Sequence, residues 1–279
     1  MPELPEVETI KNAVEKAVNG AYIEKAEVRN SRLRETIPAD FAEKICGTEI
    51  IGLRRIAKYM LMDLNNGYTI IWHFGMSGKI KIETSAPANP EKHDHVIITT
   101  NRGMIIYNDP RRFGLISLCK SSALADSRYF EHIGLDPWDE RLTAEYLLDK
   151  LAKRKTAIKL SLLNQEIICG IGNIYASEIL YKAHISPLRA SESITAKEAK
   201  DIILYTRQIL KESIQAGGST IHDYHRPDGD IGYFQQRHCV YNKTGQRCPD
   251  CVCKMQKNEG IRKIIQGGRS TFYCPVLQK

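Results

Sequence analysis

With 279 residues, 42% of them hydrophobic, the chain has enough apolar material for one or two sizeable cores, and its length suggests two domains with a small appendage. Charged residues from Glu3 to Lys16 rule out a secretory apolar region, and no apolar run approaches the ~18 residues of a membrane span, so a cytosolic chain is expected. The net charge of +7 is concentrated in residues 231–279, where nine Lys or Arg face two acids, and eight cysteines in a cytosolic setting point to thiols or metal rather than disulfides.

The chain opens Met1-Pro2-Glu3-Leu4-Pro5-Glu6. Methionine is normally trimmed before a small residue, which would leave Pro2 with a secondary amine as the first atom of the protein. An α-amino group has a reference pKa of about 8, well below lysine, so part of it is neutral and nucleophilic at physiological pH. Attack on an aldehyde-level carbon would give an iminium ion, an electron sink for elimination. Glu3 and Glu6 stand beside it. The same residues also make an ordinary helix start, with proline at the first helical position and acids in the first turn, and these six residues leave both readings open. Val7, Ile10, Val14 and Val18 then share one face of a helix over residues 6–18, with Gly20 as its stop.

Short runs rich in Ile, Val and Tyr follow at 21–29, 49–56, 59–64, 68–74, 78–83, 95–100, 104–108 and 115–119, with hairpin-turn chemistry at Asn65-Asn66-Gly67 and Asn101-Arg102-Gly103. They predict an antiparallel sandwich or barrel. From about residue 125 the period becomes helical, with helices expected at 143–153, 156–164, 173–183 and 195–216. Residues 217–233 are rich in Gly, Asp and Pro and read as a loop, and the basic, cysteine-containing tail follows.

Three patterns carry chemistry. Gly170-Ile171-Gly172-Asn173 enters a helix, where backbone amides and the helix dipole favour phosphate, although a plain helix connection has the same form. The turns at 72–78 and 108–114 carry Met76, Arg111, Arg112 and Phe113, apolar and cationic groups able to wedge into a base stack if exposed and to serve as core if not. In the tail, Cys248-x₂-Cys251 resembles the first knuckle of a zinc ribbon and Cys274 opens the second, but Leu277 stands where its partner cysteine would be. Cys253 could complete the set, and a zinc-free hairpin is the alternative.

Together, PELPEVET at the start, RRIAKYM at 54–60, HFGMSGKI at 73–80, EKHDH at 91–95, NDPRRFG at 108–114, KTAIK at 155–159, GIGNIYASE at 170–178, GGST at 217–220 and GGRSTFYC at 267–274 resemble the bacterial formamidopyrimidine-DNA glycosylase (Fpg) family along the whole chain. The related endonuclease VIII branch usually opens PEGPE rather than PELPE. The resemblance implies an α+β fold with an N-terminal β-sandwich flanked by helices (2–124), a helix-two-turns-helix domain (125–230) with a lesion-capping loop at 217–233, and a C-terminal zinc-ribbon-like β-hairpin (231–279). It implies a bifunctional DNA glycosylase/AP lyase of base excision repair. Pro2 is then the nucleophile, Glu3 the general acid, Glu6 a carboxylate that positions the terminus, Lys58 the proton donor for β-elimination and Arg269 the group linked with δ-elimination. His93, Arg111, Arg112, Arg154 and Asn173 become DNA contacts, and Met76, Arg111 and Phe113 fill the gap left by an extruded nucleotide. Arg154 sits where lysine is common, which keeps the charge but changes its geometry.

The implied substrates are 8-oxoguanine opposite cytosine and formamidopyrimidines in double-stranded DNA, or abasic sites. The implied cofactor is one zinc ion held by Cys248, Cys251, Cys253 and Cys274, a set that departs from the family at Leu277. A monomer without membrane attachment, located with the nucleoid, is expected. The rival readings are a glycosylase preferring oxidised pyrimidines and a noncatalytic damaged-DNA-binding relative. Pro2, Glu3 and Lys58 speak against the noncatalytic form, and Met76, Arg111 and Phe113 against the pyrimidine preference.

Overall fold

Alternating apolar residues in short β-branched runs build two four-stranded antiparallel sheets near the start of the chain. The computed structural model describes residues 2–84, 89–219, 234–251 and 260–279. The chain divides into two compact units, Met1–His132 with Ile214–Gln235, and Ile133–Ser213 with Gln236–Lys279.

In the first unit, β1 (Ile23–Val28), β5 (Lys79–Glu83), β6 (Asp94–Thr100) and β7 (Gly103–Asn108) form one sheet in the order β1-β6-β7-β5. The other sheet runs β2-β3-β4-β8, from β2 (Ile50–Ile56), β3 (Tyr59–Leu64), β4 (Tyr68–His73) and β8 (Leu115–Lys120). Ile23, Ile98 and Ile105 of one sheet meet Met60, Ile70, Trp72 and Ile116 of the other in a single apolar cluster, which makes the pair a sandwich. Helix α1 (Leu4–Val18) packs on β2 and β3 of one sheet and β5 and β7 of the other. Its expected face, Val7, Ile10, Val14 and Val18, is fully buried in the same cluster, each side chain contributing roughly 1.5–3 kcal/mol. Helix α2 (Phe41–Ile45) buries Phe41 and Ile45 and was not expected from the sequence, because these two form a single i, i+4 pair and show no repeating period.

The second unit holds α3 (Ala144–Leu151), α4 (Ile158–Leu162), α5 (Asn173–Lys182), most of α6 (Ala196–Gln215) and a hairpin of β9 (Arg262–Gln266) and β10 (Arg269–Tyr273). Thr143 caps α3 by accepting from the Tyr146 N–H at 3.2 Å. The hairpin rests on α5 through an apolar cluster of Tyr181, Val240, Cys248, Ile261, Phe272 and Cys274. The expected zinc-ribbon-like element is thus a two-stranded hairpin carried on a helix. Of the expected loop 217–233, only 217–219 lie within the described residues.

Candidate active site and nucleic-acid interface

The opening residues place two acids where acids are rarely found. Glu3 and Glu6 are each only 2% exposed, and Pro2 beside them is buried. Glu6 accepts from the Glu3 N–H at 2.9 Å and from the Ser219 N–H at 2.8 Å, so its carboxylate ties the helix start to the last residue of the 217–219 segment. Pro5 lies in the first helical turn and Glu3 and Glu6 form a capping box, so the ordinary helix-start reading holds. It does not compete with a chemical role. A surface acid complementing the helix dipole needs no such burial, whereas acids held this way beside Pro2 are placed where they could move protons near its nitrogen.

Lys58 lies in the same unit, in the two-residue turn Ala57-Lys58 that joins β2 to β3. Ala57 takes φ +52°, a left-handed conformation costly for a residue with a Cβ. Arg55 holds the turn by donating to the Ala57 carbonyl at 3.0 Å while pairing with Glu8 at 2.8 Å. Lys58 is 8% exposed, and its charge acts on His73. Burial, then the Arg34 and Lys58 charges, push His73 down to about 4 from an ordinary 6.5. Its Nδ1 accepts the Gly75 N–H at 3.1 Å and its ring lies 4.8 Å from that of Tyr59. His73 stood in the HFGMSG motif, but its position in the last residue of a strand gave no sign that it would orient the next turn.

That turn and its neighbour carry the exposed groups. Met76 is 42% exposed and Phe113 45%, so neither belongs to the core, and Arg111 lies over the Phe113 ring at 4.7 Å. Gly75, at φ +57°, presses on the other turn so closely that a Cβ there would lie 2.3 Å from the Phe113 carbonyl oxygen. Arg112 is exposed at φ +56°, and His93 is half-buried, with its carbonyl accepting from the Asp109 N–H at 3.0 Å.

In the second unit the Gly-Ile-Gly turn ends with Gly172 as the N-cap of α5, and Asn173 is its first residue. The fully buried Lys159 donates to Asn173 Oδ1 at 2.6 Å, Thr271 Oγ1 at 2.7 Å and the Ser270 carbonyl at 3.2 Å. Asn173 adds a bond from its amide to the Ser270 carbonyl at 2.9 Å. The turn next to the exposed Arg269 is thereby fastened to the helix entry. Glu178, one helical turn further, accepts from the N–H groups of Cys239, Val240 and Tyr241 at 2.7, 3.0 and 2.8 Å, and burial raises its pKa despite them. Arg154 is exposed and donates to the Lys150 carbonyl at 2.7 Å.

The sulfur atoms of Cys248, Cys251 and Cys274 all lie within 4.8 Å of one another. Three convergent sulfurs at cysteine-knuckle spacing fit three positions of a tetrahedral metal site once Cys251, which is disulfide-bonded in this structure, is reduced to its thiol. Leu277 packs against the apolar cluster below and offers no donor, and Cys253 lies outside the described residues.

Comparison with known proteins accounts for this arrangement. The family model for the formamidopyrimidine-DNA glycosylase N-terminal domain matches residues 1–116, and that for the formamidopyrimidine-DNA glycosylase H2TH domain matches residues 133–225. The chain belongs to the formamidopyrimidine-DNA glycosylase family. The Fpg of Rhodospirillum rubrum is 41% identical over 281 residues, covering 100% of both chains. A Lactococcus lactis Fpg variant in complex with Fapy-dG-containing DNA matches at a TM-score of 0.90 and 32% identity over 100% of both chains. The same TM-score and identity, over 99% of each chain, hold for Lactococcus lactis Fpg with abasic-site DNA.

The fold expected of an Fpg chain, a β-sandwich with flanking helices, a helical domain and a C-terminal hairpin, is the fold found. Within the first unit the structure gathers Glu3 and Glu6 at one helix start, and Met76, Arg111 and Phe113 on two touching turns. Within the second it links Asn173 to the residue after Arg269. Lys159, Glu178, His73 and Asp109 were not singled out from the sequence. They lay inside quoted motifs, but nothing in a motif tells a buried organiser from a solvated side chain. No helix among the described residues is long and apolar enough to cross a membrane.

Proposed function

We propose that this Fpg-family chain is a bifunctional DNA glycosylase/AP lyase acting on oxidised purines, 8-oxoguanine opposite cytosine and formamidopyrimidines, in double-stranded DNA. The observation that carries the reading is the pair of buried carboxylates beside Pro2. Once Met1 is removed, the Pro2 nitrogen attacks C1′ of the damaged nucleotide, the glycosidic bond breaks and the base leaves, and the nitrogen lone pair gives an iminium. Glu3 supplies the proton for ring opening and Glu6 fixes the terminus. Loss of the C2′ proton then expels the 3′ phosphate, with Lys58 serving proton transfer, and a second elimination assisted by Arg269 expels the 5′ phosphate.

Arg154, Asn173, Arg269, His93 and Arg112 bind the strand, which the basic tail favours electrostatically. Met76, Arg111 and Phe113 fill the space vacated by the extruded nucleotide, Arg111 facing the orphaned cytosine. The 217–233 segment caps the lesion. Cys248, Cys251 and Cys274, with Cys253 as the fourth donor, would hold one zinc ion whose role is to brace the hairpin. Elemental analysis is expected to give about one zinc per chain, and a metal-free, folded and active sample would retire that part. The protein acts as a monomer.

Borohydride added to processed protein and a duplex containing 8-oxoguanine opposite cytosine is expected to trap a covalent protein–DNA complex. Failure to trap, with mass spectrometry showing Pro2 at the terminus, would refute the mechanism. Protein that retains Met1 is expected to bind the duplex without cutting it.

A further inference from the structure

Asp109 begins the turn that carries Arg111, Arg112 and Phe113, and it is fully buried. Its carboxylate is shared between two turns. Oδ1 accepts from the Ser77 hydroxyl at 2.6 Å, while Oδ2 accepts from the Gly114 N–H at 2.8 Å and the Tyr107 hydroxyl at 3.3 Å. The Ser77 hydroxyl in turn accepts from the Arg111 N–H at 3.2 Å. Ser77 directly follows Met76, and Gly114 directly follows Phe113, so one side chain grips both turns within a residue of each exposed apolar group. The backbone of Asp109 is fixed as well, since its carbonyl accepts from Arg112 N–H at 3.2 Å and lies 2.8 Å from His95 Nε2.

These three donors to the carboxylate are neutral, and burying a charge among neutral groups is costly. What a carboxylate offers that an amide does not is acceptor capacity at both oxygens. The packing around it leaves no slack: a Cβ on Gly114 would fall 1.7 Å from the Tyr107 hydroxyl, as one on Gly75 would collide with Phe113. We propose that Asp109, acting through Ser77 and Gly114, is the positioning residue that makes the Met76 and Phe113 turns one rigid wedge, and that this rigidity sets how well the protein extrudes a stacked base. The inference rests on the glycosylase reading above. A wedge ordered beforehand avoids the entropy of ordering two loops at insertion. That saving matters most where a paired, stacked base has to be displaced, and least at an abasic site, where there is no base to unstack.

The test compares Asp109→Asn and Ser77→Ala with the unaltered protein in single-turnover cleavage of two duplexes, one with 8-oxoguanine opposite cytosine and one with a preformed abasic site. A 2-aminopurine beside the lesion reports unstacking. The ratio of lesion excision to abasic cleavage is expected to fall about tenfold or more in Asp109→Asn and a few-fold in Ser77→Ala, with the fluorescence rise slowed to match. An unchanged ratio, even with both rates reduced, would overturn the proposal, because general damage to the fold affects both duplexes alike. Ser77→Ala leaves the carboxylate and its other bonds in place, so it decides the matter if Asp109→Asn does not fold. If the unaltered protein cleaves neither duplex, the catalytic reading fails, and the fluorescence comparison still judges Asp109 because unstacking requires no cleavage.

Discussion

The turn that carries Phe113 and the hairpin turn beside Arg269 both present arginine to solvent, yet they are anchored by opposite charges. The Phe113 turn closes on the buried Asp109 carboxylate, which collects N–H and O–H donors from two strand connections. The Arg269 turn closes on the buried Lys159 ammonium, which collects the Ser270 carbonyl, the Thr271 hydroxyl and the Asn173 amide oxygen. The difference follows from the polar groups that converge on each anchor. Inward N–H and O–H groups need an acceptor with several lone pairs, and inward oxygens need a donor with several protons. Either anchor lets the neighbouring arginines stay solvated and available to a polyanion.

Removing the lysine anchor should have the largest effect. Lys159→Met keeps most of the volume but strands the buried Thr271 hydroxyl and two part-buried oxygens, and is expected to destabilise the second unit by about 3–4 kcal/mol in denaturant unfolding. A loss below ~1 kcal/mol would show that the hairpin is held by its apolar cluster alone and would break the symmetry drawn with Asp109.

Acid acts on both units, because among the described residues each contains a histidine held near 4 against an ordinary 6.5. For His73 the causes are burial, then Arg34 and Lys58, and for His238 burial, then Lys243. Between pH 6.5 and 4 the unfolded chain takes up protons that the folded chain refuses. Stability is therefore fully present above about pH 6.5 and is lost as pH falls toward 4, by on the order of 2–3 kcal/mol for each histidine. His73→Gln and His238→Gln should each flatten the corresponding part of the melting-temperature profile over that range. A profile unaltered by both variants would contradict the assignment.

The smallest expected effect on the fold comes from Arg269→Ala, which removes a displayed side chain and leaves the anchor intact. Stability should change by less than ~0.5 kcal/mol. Binding to damaged duplex is expected to weaken about tenfold, with the salt dependence reduced by about one counterion, and δ-elimination should suffer more than base excision. Equal loss at all three steps would count against a displayed, phosphate-directed role.

Much of the candidate site was legible because its residues are local in sequence. Pro2, Glu3 and Glu6 fall within one turn of helix, and the Gly-Ile-Gly-Asn entry to α5 is a single connection. Strand periodicity located all eight strands of the sandwich, since each shows alternation or β-branched runs on its own. Helix α2 escaped because Phe41 and Ile45 form a single i, i+4 pair, and the left-handed Ala57 because alanine is not a left-handed residue by habit.

The sequence by itself determined the order of elements, the basic tail and the presence of a nucleophile candidate with its acids, because helix periods, strand periods and charge are written along the chain. Only the tertiary structure decided which groups are buried organisers. Asp109 and Ser77 are 32 residues apart in the sequence, and Lys159 and Thr271 are 112 apart, yet each pair is hydrogen-bonded. Whether an aspartate or lysine sits in water or holds two turns together depends on what the fold brings to it. The same dependence separates Met76 and Phe113, displayed on turns, from the apolar residues of the core.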